Sequence, residues 1–378
     1  MTNMKRIEFN KVDFHGNEID NIKRAVQENK IAGDGIFTKK CNAFIEKSLN
    51  VEKSFMTTSC THALEMTALL LDIQPGDEVI IPSFTFVSTA NAFTLRGAIP
   101  IFADIRADTL NIDEQKIEPL ITKKTKVIVV VHYAGIGCEM VKIMELANKY
   151  NIDVVEDNAH GFLGKYNSNY LGSFGTFSTL SFHETKNFTC GEGGSLVINN
   201  TKYIERAEII REKGTDRTKF VRGEIDKYSW VDIGSSFLPS EILSAYLYAQ
   251  FEQKEQIQAR RKRIWNYYND SLKDWAYDND IKLPTIPDNC VQTYHIFYLV
   301  LKSNKTRDSL IKHLRQRGIP ATFHFLPLNL SKKILEMGLN NNPCSVAEQI
   351  SGRLLRLPIH NSLHPDQINI DYFYDFKS

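Results

Sequence analysis

Val127-Ile128-Val129-Val130-Val131, a helical pattern over 139–150, and then Ile152-Asp153-Val154-Val155-Glu156-Asp157 together decide the fold. The first run is apolar throughout and the second nearly so, where a strand with one wet face would alternate. Uninterrupted β-branched runs require cover on both faces, and a helix between two of them supplies part of it. Working outward, 79–81, 99–102, 176–182 and 195–198 read as further strands, with helical patterns around 87–95 and 201–213. The expected architecture is α/β, a three-layer domain with helices on both sides of a largely parallel sheet.

Before this block, residues 18–29 (Ile19, Ile22, Val26) and 38–48 (Cys41, Phe44, Ile45) carry helical spacing. Thr57-Thr58-Ser59-Cys60-Thr61 then leads into an apolar helix over 62–71, so small hydroxyl residues stand at a helix start. After it, residues 241–275 read as helical, and Pro284 and Pro287 end the pattern. A second α/β pattern begins near His295, with a strand at 296–301 and helices at 307–317 and 347–355. The expected division is a large domain with its amino-terminal helices over 1–250 and a smaller carboxy-terminal domain over 251–378, joined within helix. Gly161, Gly164, Gly172 and Gly175 mark an irregular connection of about 20 residues, a length more typical of a site than of a spacer.

Composition narrows the function. The 378 residues are 42% hydrophobic and 24% charged, and 46 Lys+Arg against 45 Asp+Glu leave a net charge of +1. That balance argues against a nucleic-acid partner. Cys41, Cys60, Cys138, Cys190, Cys290 and Cys344 are scattered without CxxC spacing, which suits reduced thiols and predicts neither a metal site nor a disulfide framework. Met1-Thr2-Asn3-Met4-Lys5-Arg6 leads into a polar segment without a signal-peptide core, and no run approaches the ~20 apolar residues of a membrane span. A cytoplasmic location without a membrane partner is expected.

Lys186 stands between a probable strand and the glycine-rich return Gly191-Glu192-Gly193-Gly194. A primary amine there could hold a carbonyl cofactor as a Schiff base, although a loop lysine is ordinarily a surface residue. Asp157 follows an apolar strand at the edge where α/β sheets bind ligands, and could pair with a pyridinium nitrogen or simply cap a turn. Ser59, Cys60 and Thr61 offer backbone N–H groups for a phosphate, with hydroxyls from Thr61 and Ser181, or form an ordinary N-cap.

Longer ordered blocks choose among these readings. They are Gly33-Asp34-Gly35 with Phe37-Thr38, Asp72-Ile73-Gln74-Pro75-Gly76-Asp77-Glu78-Val79, Pro82-Ser83-Phe84-Thr85-Phe86-Val87-Ser88-Thr89-Ala90-Asn91-Ala92, His132-Tyr133-Ala134-Gly135, Ser181-Phe182-His183-Glu184-Thr185-Lys186-Asn187 and Arg211-Glu212-Lys213-Gly214-Thr215. Across roughly 7–370 the chain resembles the DegT/DnrJ/EryC-type sugar aminotransferases, enzymes dependent on pyridoxal 5'-phosphate with the aspartate-aminotransferase fold. The resemblance implies Lys186 as the Schiff-base lysine, Asp157 at the pyridinium nitrogen, Phe86 over the ring, and Cys60, Thr61 and Ser181 at the phosphate. His160 falls where most relatives carry glutamine, near the phenolic oxygen. His324 falls in the substrate-side histidine segment, and Arg217, Lys219 and Arg222 rim the expected sugar-nucleotide groove. Ser236 replaces an asparagine that crosses the dimer interface in many members, and its shorter side chain puts that contact in doubt.

The implied reaction moves the amino group of L-glutamate to C4 of dTDP-4-dehydro-6-deoxy-D-glucose, giving dTDP-4-amino-4,6-dideoxy-D-galactose and 2-oxoglutarate. The alternatives are another nucleotide keto-sugar, with a C3 or equatorial C4 product, and a non-catalytic sugar-nucleotide-binding protein. A homodimer serving surface-polysaccharide synthesis is the expected setting.

Overall fold

The computed structural model describes residues 7–14, 16–339 and 342–377, so the reading of Met1 to Arg6 lies outside the described residues. Two helices, α1 (Glu18–Gln27) and α2 (Ile36–Leu49), precede β1 (Lys53–Thr57), α3 (Cys60–Leu70), β2 (Glu78–Pro82), α4 (Val87–Thr94), β3 (Ile99–Ala103), β4 (Thr125–Val131), α5 (Met140–Tyr150) and β5 (Asp153–Asp157). The glycine-marked connection holds a small hairpin, β6 (Lys165–Tyr166) and β7 (Asn169–Tyr170), followed by β8 (Phe177–Ser181) and β9 (Gly194–Ile198). Then come α6 (Ile204–Arg211), α7 (Arg217–Val221), α8 (Glu241–Glu252), α9 (Lys254–Asp278), β10 (Cys290–Val291), β11 (Phe297–Val300), α10 (Asn304–Gln316), α11 (Lys332–Glu336), α12 (Ser345–Arg353) and β12 (Leu354–Leu357).

The central sheet has seven strands in the order β1-β9-β8-β5-β4-β2-β3. Only β9 runs against its neighbours; the other six are parallel, so their carboxyl ends share one edge. Both faces are buried, as the unbroken β-branched runs require. On β9, Leu196 and Ile198 join the core cluster that contains Ala63 and Leu64 of α3, whereas Val197 joins Cys41 and Ile45 of α2 and Leu247 and Phe251 of α8. The period of two thus divides one strand between two helical layers.

A second core forms around α9. Ile264, Trp265, Tyr268, Leu272 and Trp275 pack with Phe297 and Leu299 of β11, Leu310 and Leu314 of α10, and Leu355 and Leu357 of β12. β11 and β12 pair antiparallel.

Three local differences from the sequence reading have physical causes. The single helix expected over 241–275 is two helices broken at Gln253, which turns the chain from the layer over the main sheet to the second core. The helix expected over 347–355 stops at Arg353, because Leu354 and Leu355 pair with Val300 and Leu299 instead. Lys53–Thr57, unread in the sequence, is an edge strand held by Leu196 and its neighbours in β9. Among the described residues, no helix is long and apolar enough to cross a membrane.

Candidate functional site

The carboxyl ends of β1, β5 and β8 and the loop after β2 open on a cavity of about 660 Å³, which the second unit closes from the opposite side with Thr322 to Phe325 and Arg356. Cys60, Thr61, Phe86, Asp157, His160, Ser181, Lys186 and His324 all line it. Residues scattered over more than 260 positions of sequence are brought together because parallel strands end on the same edge.

Asp157 is the last residue of β5 and is buried. Its Oδ2 accepts a hydrogen bond from Thr89 Oγ1 at 2.7 Å, and its Oδ1 accepts one from the Ala159 N–H at 3.2 Å. Burial raises its pKa, against the opposing pull of those two donors and of Lys186. The preceding residue points to the other face and anchors the strand from behind. Glu156 accepts N–H bonds from Gly172 at 2.7 Å and from Phe174 and Gly175 at 2.8 Å each, and pairs with His132 Nε2 at 2.9 Å.

Lys186 sits in the turn after β8, its N–H bonded to the His183 carbonyl. Among the described residues its amine makes no hydrogen bond or ion pair. Desolvation pushes its pKa down to about 8, only partly countered by Cys60 and Asp157, with Arg356 adding to the fall. A substantial fraction of the amine is therefore neutral near physiological pH.

At the cavity floor, α3 begins. Ser59 caps it by accepting from the His62 N–H at 3.1 Å, and Thr61 Oγ1 lies 2.8 Å from Ser88 Oγ. The start of β9 presses against this helix end: a Cβ on Gly194 would lie 2.3 Å from Ser59 C and 2.4 Å from Cys60 N. Glycine is needed there to let the backbones meet. The first turn of α3 thereby presents its N–H groups to the cavity, an arrangement that suits an anion.

The upper wall is a stack of imidazoles. His160 lies 4.4 Å from the His295 ring and 6.3 Å from that of His324, centroid to centroid. His295 Nδ1 bonds Asn187 Oδ1 at 2.8 Å and His324 Nδ1 bonds the Tyr133 hydroxyl at 2.7 Å, while His160 Nδ1 is buried without a partner. Burial holds all three pKa values well below the ordinary histidine value, so the rings are neutral. His295 and Arg356 were given no role in the sequence, and Thr89 and Tyr133 stood there only within the family blocks; for Arg356 the available signal was a lone cation inside Leu354-Leu355-Arg356-Leu357.

The structure does not bring the basic trio to this cavity. Arg222 pairs with Glu208 at 2.8 Å and Glu224 at 2.6 Å, Lys219 pairs with Glu205 at 2.5 Å, and Arg217 lies 3.9 Å from Glu212. Ser236, exposed and bridged to Glu212, also lies outside it.

Comparison with known proteins gives the family and the fold. The family described as the DegT/DnrJ/EryC1/StrS aminotransferase family matches residues 13–370. The chain is 30% identical over 381 residues to GDP-perosamine synthase of Escherichia coli O157:H7, covering 99% of this chain and 100% of that one. Among solved structures, PseC of Helicobacter pylori, an aminotransferase of pseudoaminic acid biosynthesis, superposes with a TM-score of 0.89 at 25% identity, covering 98% of this chain and 100% of that one. The PLP form of Spr1654 from Streptococcus pneumoniae gives 0.88 at 26% identity, covering 97% and 96%.

Proposed function

Because the chain belongs to the DegT/DnrJ/EryC1/StrS aminotransferase family, we propose that it carries the amino group of L-glutamate to C4 of a nucleotide-linked 4-keto-6-deoxyhexose. It is a pyridoxal-phosphate-dependent sugar aminotransferase with the aspartate-aminotransferase-like fold. Our reading adds the donor, the carbon and the nucleotide, with dTDP-4-keto-6-deoxyglucose first. A GDP-linked acceptor is the second reading, favoured by the name of the Escherichia coli relative.

The observation that carries the proposal is that Lys186 and Asp157 line one cavity together with the start of α3. The residues present fit the cofactor: the α3 start offers backbone donors and Gly194 keeps the approach clear, Phe86 is 57% exposed at the cavity wall, and His160 Nδ1 awaits a partner. Bound pyridoxal phosphate supplies an aldehyde that condenses with primary amines and a ring that draws electrons from the amine-bearing carbon.

In this reading Lys186 Nζ, neutral in useful fraction, holds the cofactor as a nucleophile and afterwards accepts and returns the proton that moves during transfer. Asp157, fixed by Thr89 and Ala159, would pair with the ring nitrogen. The Cys60 and Thr61 N–H groups and the Ser181 hydroxyl bind the phosphate, Phe86 covers a ring face, and His160 bonds the phenolic oxygen. His324, oriented by Tyr133, borders the sugar. Arg217, Lys219 and Arg222 bind the diphosphate where a second copy brings α7 to the cavity, so a homodimer is part of the proposal. The division into units 1–250 and 251–378 is likewise our reading, supported by the break at Gln253.

The test is incubation with L-glutamate and either dTDP-4-keto-6-deoxyglucose or its GDP-linked counterpart, followed by NMR of the sugar. Axial amination at C4 with matching 2-oxoglutarate release is expected. A C3 or equatorial product, or glutamate left unconsumed with both acceptors, overturns the proposal.

A further inference from the structure

Arg356 is a half-enclosed guanidinium that no carboxylate or carbonyl among the described residues answers. Its backbone is fixed: it exchanges hydrogen bonds of 2.7 and 3.1 Å with Thr322 and pairs with Tyr298 across the small sheet. Leu355 and Leu357 on either side enter the second core, so strand alternation turns Arg356 to the opposite face, where it lines the cavity of Lys186. Among the described residues its side chain makes no hydrogen bond and no ion pair. Nε is buried without a partner, and the guanidinium lies 5.0 Å from the centroid of the Phe9 ring.

Arg261 shows how this protein treats a buried guanidinium whose role is structural. It donates to the carbonyls of Tyr294 at 3.2 Å, His295 at 2.8 Å and Ile359 at 3.4 Å, and to Asn361 Oδ1 at 3.3 Å. A cation withdrawn from water without such partners is costly, which selects for an anion that arrives with the ligand. Asp157 does not serve: among the described residues it forms no hydrogen bond or ion pair with Arg356, its oxygens being met by Thr89 and Ala159.

We propose that Arg356 binds a carboxylate of the amino donor through paired N–H···O bonds and so selects a carboxylic amino acid for the first half of the reaction. This rests on the aminotransferase reading. The planar fork of a guanidinium matches one carboxylate, whereas a diphosphate calls for several cations. Among the described residues, Arg356 and Lys186 are the only arginine and lysine lining the cavity, and burial keeps the imidazoles of His160, His295 and His324 neutral. The cofactor phosphate has its own donors at the start of α3.

The experiment uses the holoenzyme and two variants, Arg356→Gln and Arg356→Lys, checked for equal cofactor content and thermal midpoint. Glutarate, a dicarboxylate without an amine, is titrated calorimetrically, and the glutamate and sugar-nucleotide half-reactions are followed separately. Loss of one charge-assisted carboxylate contact should weaken glutarate binding and raise the glutamate KM by roughly 10- to 100-fold in the Gln variant. The Lys variant should fall between, and the sugar-nucleotide KM should not move. A sugar-nucleotide KM that rises while glutarate binding holds assigns Arg356 to the diphosphate and overturns the proposal, as does unchanged glutarate affinity in both variants. If the Gln variant is unstable, the Lys variant decides by the same readings. An enzyme that binds glutarate through Arg356 yet leaves glutamate unconsumed overturns the glutamate reading and not the carboxylate site.

Discussion

At the residue scale, the proposed chemistry hangs on a lysine whose surroundings favour its neutral form. Its pKa near 8 comes mainly from desolvation, so the neutral amine gains population as pH rises through that value. Since only the neutral amine attacks an aldehyde, cofactor-free protein should capture pyridoxal phosphate faster with rising pH and level off above about pH 8.5, read by absorbance and by borohydride trapping on Lys186. A pH-independent capture rate from 6 to 9, or trapping on another lysine, would remove Lys186 from the role. The sign for stability is the same. The unfolded lysine titrates near 10.4 and the folded one near 8, so the folded state binds fewer protons between these values and this group's contribution to stability rises with pH across that window. Asp157 yields a second expectation. Asp157→Asn keeps the shape that Thr89 and Ala159 hold but removes the charge, so cofactor binding should survive while the glutamate half-reaction slows by roughly 100-fold or more in stopped flow. A rate within threefold of the parent would refute the pyridinium pairing. Both residues were candidates in the sequence because each stands at or just beyond the end of a recognisable strand, and the family resemblance gave each its proposed role. The contacts of Thr89 and Arg356 were not legible: Thr89 meets Asp157 from 68 positions away, and Arg356 is defined by partners that it lacks.

At the element scale, the site depends on how closely β9 lies against the start of α3. Gly194 is the pinch point, its virtual Cβ within 2.5 Å of three backbone atoms of Ser59 and Cys60, and backbone atoms cannot swing aside as a side-chain tip can. Gly194→Ala should therefore cost about 1–3 kcal/mol by overpacking and also weaken cofactor binding, because it moves the N–H groups that face the phosphate. Differential scanning calorimetry and cofactor titration check the two effects. Full stability with parental cofactor affinity would mean that the strand shifts without disturbing α3. The same elements explain what the sequence could carry. Runs such as 127–131 announce themselves because both their faces are dry, whereas Lys53-Ser54-Phe55-Met56-Thr57 is a mixed segment that becomes a strand through pairing with β9. Leu354–Leu357 extends a helical spacing and is claimed by β11 only in the folded chain, a case of tertiary pairing overriding local pattern.

At the scale of the whole molecule, the protein shows an apolar surface that a lone chain does not use. From the end of α7 towards α8, Val221 is 69% exposed, Trp230 77%, Val231 51% and Ile233 57%, all in or beside the segment that carries the basic trio. Single exposed apolar residues are normal, but with Tyr228 these make five large ones within 13 positions, exposure of the kind that marks an interface. A second copy seated there would cover the patch and bring α7 toward a cavity, which is how cations lying outside this chain's own cavity could serve a sugar nucleotide. Sedimentation at micromolar protein should accordingly give a mass near twice 43.3 kDa. Trp230→Glu buries a charge at that interface and should shift the equilibrium toward the monomer. It should also raise the sugar-nucleotide KM, yet leave cofactor-free Lys186 able to capture pyridoxal phosphate, because the nucleophile and the α3 start belong to one chain. A parent protein that sediments as a monomer at full activity would sever α7 from catalysis altogether. A dimer untouched by Trp230→Glu would place the interface elsewhere and leave the exposed run without this explanation.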